Sequence, residues 1–306
     1  MAVVHDDEPD VGEAIARALL AGELPELADR PLFDVTGSGT DNALWRIELN
    51  PHESLLLRLP RRYQPDEAIE REAAVLGDLA DSPLAELVAL PEVIHVGKPQ
   101  PQFGHRWMVL GWIPGVDLTE ASLLELEQLE LAERLGGAVR VLGQLSIDAP
   151  RRGTGRRGGP IEPLVAAIHR WLDDPQWLAV DFVDVDACRR LADEALSATG
   201  EATVGFVHGD LLPGNVLRDG NELALIDWGG AGRADLAQDL APAWSIFDKA
   251  GRNRFFEVVG ADDASKVRAR TFELEHAIGG IVYYEPKGHP LGDIMRRTYQ
   301  RIMAAA

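Results

Sequence analysis

The sequence predicts an α+β fold in two lobes. A small, mainly antiparallel β lobe with one inserted helix is expected over residues 1–110, and a larger, mostly helical lobe over 114–306. Three observations predict it. Short runs rich in branched and aromatic residues crowd the first third. A single charged, helix-forming stretch interrupts them. Beyond residue 117, leucines recur at helical spacing over long distances.

The elements follow in order. Residues 11–28, "VGEAIARALLAGELPELA", carry apolar positions at helical spacing. Strand patterns follow at 31–37, 42–49 and 54–60. Pro65 then opens a helix over 66–80, with Asp66 near its cap. Two further strands are expected at 92–97 and 106–113. The stretch 117–146 reads as helix, with Leu124, Leu131, Leu135, Leu142 and Leu145 on one stripe and Gly136-Gly137 permitting close packing. "APRRGTGRRGGP", 149–160, has four arginines and no acid; it reads as an exposed loop in preference to a phosphate site. Helices are expected over 161–173, 184–198, 235–249 and most of 263–305, with short strands and loops around 206–217 and 223–232.

Composition narrows the function. The chain has 306 residues, 46% of them hydrophobic, enough for sizeable cores. No apolar run reaches the roughly 18 residues of a membrane span, and "MAVVHDDEPD" lacks the basic and apolar regions of a secretory signal. The lone Cys188 excludes an intramolecular disulfide framework and a multi-cysteine metal site, so a reducing, cytoplasmic setting is expected. A formal charge of −20 argues against nucleic acid as partner and suits a cationic small molecule, although acidic excess also serves solubility alone.

The chemistry concentrates in "FVHGDLLPGNVL" (206–217) and "LALIDWGGAG" (223–232). Asp219-Gly220-Asn221 is a hairpin signal that folds the chain after Asn215 back along the run ending at Asp227. The hairpin brings Asn215 and Asp227 to one end. An amide oxygen and a carboxylate make a hard, oxygen-only site suited to Mg²⁺. Asp210, five residues before Asn215, is left to face a substrate hydroxyl. Phosphoryl transfer needs this arrangement, and protein kinases use the same Asp–Asn spacing. In the first lobe, "TGSGTDNALWRI" places Gly37, Ser38, Gly39 and Thr40 in a turn whose amides could cover ATP phosphates; such turns are more often only turns.

These residues resemble the aminoglycoside phosphotransferase family of the protein-kinase-like superfamily, through "VHGDLLPGN" and "LIDWGGAGRADLAQDLA". The sequence departs from that pattern at Ala234 and Leu236, where the family usually has Gly and Pro. The resemblance implies a bilobal kinase-like fold and transfer of the γ-phosphoryl of ATP, or of GTP, to a small-molecule hydroxyl. It makes Asp210 the base, Asn215 and Asp227 the Mg²⁺ ligands, His208 the loop's support and Asp239 its brace. It further implies Arg58, where a lysine is usual, as the phosphate-binding cation paired with Glu72. "WMVLGWIPGVDL" would be the hinge, with Val109, Leu110 and Trp112 at the adenine and Ile226 beneath it.

Three alternatives stand beside this expectation. One is a nucleotide-binding scaffold without turnover, and another a choline- or sugar-type metabolite kinase unrelated to antibiotics. The third, a metal-dependent hydrolase using His208, lacks a second histidine at ligand spacing. The acceptor itself is not legible. Trp244, Glu273, Glu275, Tyr283 and Tyr284 are conceivable contributors that read equally well as helix surface or core.

Overall fold

A computed structural model describes residues 11–37, 41–62, 65–119, 123–175, 180–198 and 202–305. The chain forms two compact units, Met1–Asp81 with Ala89–Pro114, and Ser82–Val88 with Gly115–Ala306.

The first unit is built on a five-stranded antiparallel sheet of order β1-β2-β3-β5-β4. Its strands are β1 (Leu32–Asp34), β2 (Asn42–Asn50), β3 (Glu53–Pro60), β4 (Val93–Gly97) and β5 (Trp107–Gly111). Period-two alternation sets its faces. Ala43, Trp45 and Ile47 of β2 and Leu57 and Leu59 of β3 join Ala16, Leu19 and Leu20 of the helix Glu13–Glu23 in one core. Each of these leucines, and Ile47, contributes about 1.5–3 kcal/mol on burial. Trp107 packs so closely on Gly97 that a Cβ there would lie 1.9 Å from the indole, so this position requires glycine.

Two first-lobe expectations change. The single helix over 11–28 is two, Glu13–Glu23 and Pro25–Ala28, because Leu24 leaves helical geometry before Pro25. The strand expected over 31–37 shortens to β1, since Thr36 instead turns the chain, its amide bonded to the Asp34 carboxylate. The inserted helix spans Asp66–Ala80 as expected, and its buried stripe is Ile69, Glu72, Val75, Leu76 and Leu79. A glutamate inside an apolar stripe needs a partner.

The second unit is mostly helical. The helix Glu125–Leu142 packs on Lys249–Val259, and Gly136 faces Val258 and Phe255 at the contact. Leu131, Leu135 and Leu142 are buried as expected, but Leu124 is exposed because it precedes the helix, its amide bonded to Glu127. Further helices run over Ile161–Leu172, Val185–Ser197, Asp263–Tyr284 and Pro290–Met303. The helix expected over 235–249 is absent. A 3₁₀ segment Leu236–Leu240 and the short helix Ala243–Ile246 occupy it, since Asp235 turns back to bond the Ala237 amide and Pro242 divides the stretch.

Two small sheets position the chemistry. β7 (Val204–Val207) pairs antiparallel with β10 (Gly232–Asp235), Val207 opposite Gly232. Between them in sequence, β8 (Val216–Asp219) and β9 (Glu222–Leu225) form the expected hairpin, joined by Gly220-Asn221 and flanked by β6 (Val116–Asp117). The loop leaving β7 and the loop entering β10 therefore lie at the same end of that pair. Among the described residues, no helix is long and apolar enough to cross a membrane.

Candidate active site

The loop 208–215 is fixed from below. Asp239, fully buried in the 3₁₀ segment, accepts from the amides of His208 (2.6 Å) and Gly209 (2.9 Å). Burial pushes the Asp239 carboxyl up, opposed by His208, the two amide bonds and the Arg152 charge. His208 is itself inaccessible and ties the two loops together. Its Nδ1 accepts from the Asp210 amide at 3.3 Å, which leaves Nε2–H to donate to the Ile226 carbonyl at 3.0 Å. Its ring also rests against Trp228, centroids 4.4 Å apart. The histidine is a strut, with both ring nitrogens committed.

Asn215 completes the turn. Its Nδ2 donates to the Asp210 carbonyl at 2.7 Å and lies 3.3 Å from the Asp210 carboxylate. With its nitrogen on that side, the Asn215 amide oxygen faces away from Asp210. The Ile226 amide donates to the Asn215 carbonyl at 3.0 Å, extending the β8–β9 ladder and setting Asp227 one residue beyond it. Asp227 is the only described non-glycine residue with positive φ (+61°), a left-handed geometry that aspartate tolerates better than most side chains. An amide oxygen and a carboxylate on adjoining loops fit Mg²⁺, which takes few protein oxygens and completes its shell with water and phosphate. Asp210 is over a third exposed, so its carboxylate is open to a substrate.

In the first unit, Arg58 and Glu72 form a buried bidentate pair, Arg58 Nη1 donating to Glu72 Oε1 at 2.7 Å and Nη2 to Oε2. Arg58 points away from the core that Leu57 and Leu59 join, toward the stripe of Asp66–Ala80. Of the glycine turn, Gly37 has φ +54°, whereas Ser38, Gly39 and Thr40 lie outside the described residues. Val109 and Leu110 are buried within β5, which has β3 on one side and β4 on the other. Their main-chain groups serve the sheet, and those of Gly111 and Trp112 donate to Glu92 and Ser54. The hinge expected over 109–113 thus has its first half inside the sheet. Ile226 is half-buried beside His208.

The arginine-rich connection is not a solvated loop throughout. Arg151 and Arg156 are exposed, but Arg152 turns inward, and its Nη2 donates to the carbonyls of Gly209 (2.9 Å) and Gly230 (2.5 Å). One cation thereby clamps the loops bearing Asp210 and Asp227; charge-assisted bonds of this kind contribute about 1.5–3 kcal/mol each. Burial and the nearby Arg157 hold the Arg152 pKa below the usual guanidinium value. The sequence held one signal for this: four arginines with no acid among them, and so no local counter-charge. Of the conceivable acceptor residues, Trp244 and Glu273 are buried and Tyr283 is exposed, its ring facing the Lys287 ammonium. Glu275 is mostly buried beside Arg157.

Residues 35–274 match the model of the phosphotransferase enzyme family. Among solved structures, the chain is similar to the GDP and kanamycin complex of APH(2")-IIia, with a TM-score of 0.71 at 14% identity, covering 95% of this chain and 97% of that one. It is also similar to a choline/ethanolamine kinase family protein from Mesorhizobium loti, with a TM-score of 0.63 at 21% identity over 95% and 93%. A third is a spectinomycin phosphotransferase, APH(9)-Ia, solved with ADP and spectinomycin, with a TM-score of 0.57 at 16% identity over 90% and 88%. No curated protein matches the sequence. At these identities the structures speak for the fold, which is theirs: an antiparallel β N-terminal region followed by a mostly helical part. The family model spans both loops and the strands that carry them, and the chain belongs to the phosphotransferase enzyme family.

Proposed function

We propose that this phosphotransferase moves the γ-phosphoryl group of ATP, or of GTP, to a hydroxyl of a small, cationic acceptor. One observation carries the reading: the loops bearing Asp210, Asn215 and Asp227 are brought to one end of two small sheets and locked there by His208, Asp239 and Arg152. In this reading Asp210 orients the acceptor hydroxyl and takes its proton, and Asn215 and Asp227 would hold Mg²⁺. The metal, when bound, supplies positive charge to the polyphosphate.

We assign nucleotide binding to the first unit and the chemistry to the second. Arg58, held flat by Glu72, offers a guanidinium fitted to phosphate oxygens. Gly37 to Thr40 would cover the phosphates, and the stretch following β5 would meet the base. The chain's charge of −20 favours a cationic acceptor, and similar structures are described with kanamycin or spectinomycin beside GDP or ADP. Aminoglycosides and amino alcohols are therefore the first acceptors to try. A cytoplasmic site of action completes the proposal.

The test is nucleotide turnover against such a panel, with the wild type and Asp210→Ala compared. The reading expects acceptor-dependent release of nucleoside diphosphate that Asp210→Ala abolishes. Nucleotide binding without turnover on any acceptor would favour a silent scaffold.

A further inference from the structure

Arg157 stands beside Asp210 with no hydrogen-bond partner among the described residues. Its side chain is only 20% exposed, with Nη2 3.7 Å from Asp210 Oδ1 and Nε 3.7 Å from Glu275 Oε2. Both separations exceed hydrogen-bond length, and among the described residues its guanidinium donates no hydrogen bond. Arg152, five residues earlier, is bonded to two carbonyls. The donors of Arg157 are left open toward the space beside Asp210.

The position is built. The Gly158 carbonyl accepts from the Asp235 amide at 2.9 Å, the Arg152 amide donates to the Arg233 carbonyl, and the Arg233 amide returns to Pro150. Gly158 has φ +79°, and a Cβ there would come within 2.9 Å of the Ala234 side chain. The segment is therefore pinned to β10 on both sides of Arg157. Glu275, the other carboxylate near Arg157, is mostly buried, and burial pushes its carboxyl up from the ordinary range, against the pull of Arg157 and His276 and with that of Glu273.

We propose that Arg157 is a catalytic residue that donates to an oxygen of the phosphoryl group in transit beside Asp210. The proposal rests on the phosphotransfer reading above. In that step the acceptor oxygen bonds to phosphorus, the phosphorus–oxygen bond to the nucleoside diphosphate breaks, and the hydroxyl proton passes to the Asp210 carboxylate. A guanidinium 3.7 Å from the Asp210 carboxylate, with no hydrogen bond of its own, is placed to donate to the equatorial oxygens of the group in transit.

The probe is MgADP with and without aluminium fluoride, which mimics the transferring group and requires no acceptor; binding is followed by calorimetry. The wild type should bind MgADP more tightly when fluoroaluminate is present. Arg157→Ala should bind MgADP within about threefold of wild type yet lose at least about tenfold of the fluoroaluminate gain. Arg157→Lys should keep part of that gain, and Arg151→Ala, at an exposed neighbour, all of it. An equal gain in wild type and Arg157→Ala, or no gain in a wild type that binds MgADP, overturns the role of Arg157 and leaves the phosphotransfer reading standing. A wild type that binds no MgADP overturns both.

Discussion

Asn215 Nδ2 donates to the main-chain carbonyl of Asp210 at 2.7 Å, so the side chain proposed to face the metal also shapes the turn that presents the proposed base. One substitution should therefore disturb two functions. Asn215→Ala is expected to lower turnover by about 100-fold and to raise the Mg²⁺ concentration needed for half-maximal rate. The lost hydrogen bond should cost about 1 kcal/mol of stability. A magnesium titration of turnover, with a thermal melt, separates the two effects.

The Arg58–Glu72 pair makes a different prediction. Both groups are buried, so truncating Glu72 strips Arg58 of its bidentate carboxylate. Glu72→Ala should destabilise by about 3–5 kcal/mol. Replacing both residues, as Arg58→Met with Glu72→Leu, should restore much of that stability without restoring turnover. Denaturant melts and kinetics on both variants, beside the wild type, check this. Activity in the double variant would show that the pair serves packing alone.

Local signals made much of this fold readable. The hairpin at Gly220-Asn221 announced itself through turn chemistry, whereas Glu72 was legible only through the family resemblance, and its place in a buried helical stripe came from the fold. The loops of Asp210 and Asp227 were legible because their spacing is a family's. What escaped was non-local. The acid-free arginine run pointed only to a missing local counter-charge; nothing near it says that the chain at 150–158 lies along β10 and turns two cations toward the carbonyls and carboxylate of a loop some fifty residues later. Residues 235–249 misled for the opposite reason: their helix-forming composition yields to Asp235, whose carboxylate pairs with the buried Arg268 and turns the chain.

Two glycines with positive φ should respond unequally to alanine. Gly220 (φ +54°) has nothing near its missing Cβ, so Gly220→Ala should cost only the left-handed backbone penalty, about 1–2 kcal/mol. At Gly209 (φ +79°) a Cβ would lie 2.2 Å from Arg152 Nη2 and 2.3 Å from the Gly230 carbonyl. Gly209→Ala should break the clamp, lose turnover and melt well below Gly220→Ala. Similar melting temperatures for the two would contradict the clamp.

Cys188 supplies a pH-dependent test. Burial pushes its thiol from 9.0 up to about 12, against a hydrogen bond from Tyr299. The folded chain should resist alkylation at pH 8 and react once unfolded. Between pH 9 and 12 only the unfolded chain releases this proton, so stability falls as pH rises across that window. Cys188→Ala should flatten this alkaline loss, measured by denaturant midpoints at pH 7, 9 and 10.

The central claim is that Asp210 takes the acceptor's proton during transfer from a metal-bound nucleotide. Mass spectrometry of aminoglycoside and amino-alcohol acceptors, incubated with MgATP or MgGTP and the wild type or Asp210→Asn, tests it most directly. An acceptor should gain one phosphate with the wild type and none with Asp210→Asn, while both proteins still bind nucleotide. A phosphorylated product formed equally by Asp210→Asn would contradict it.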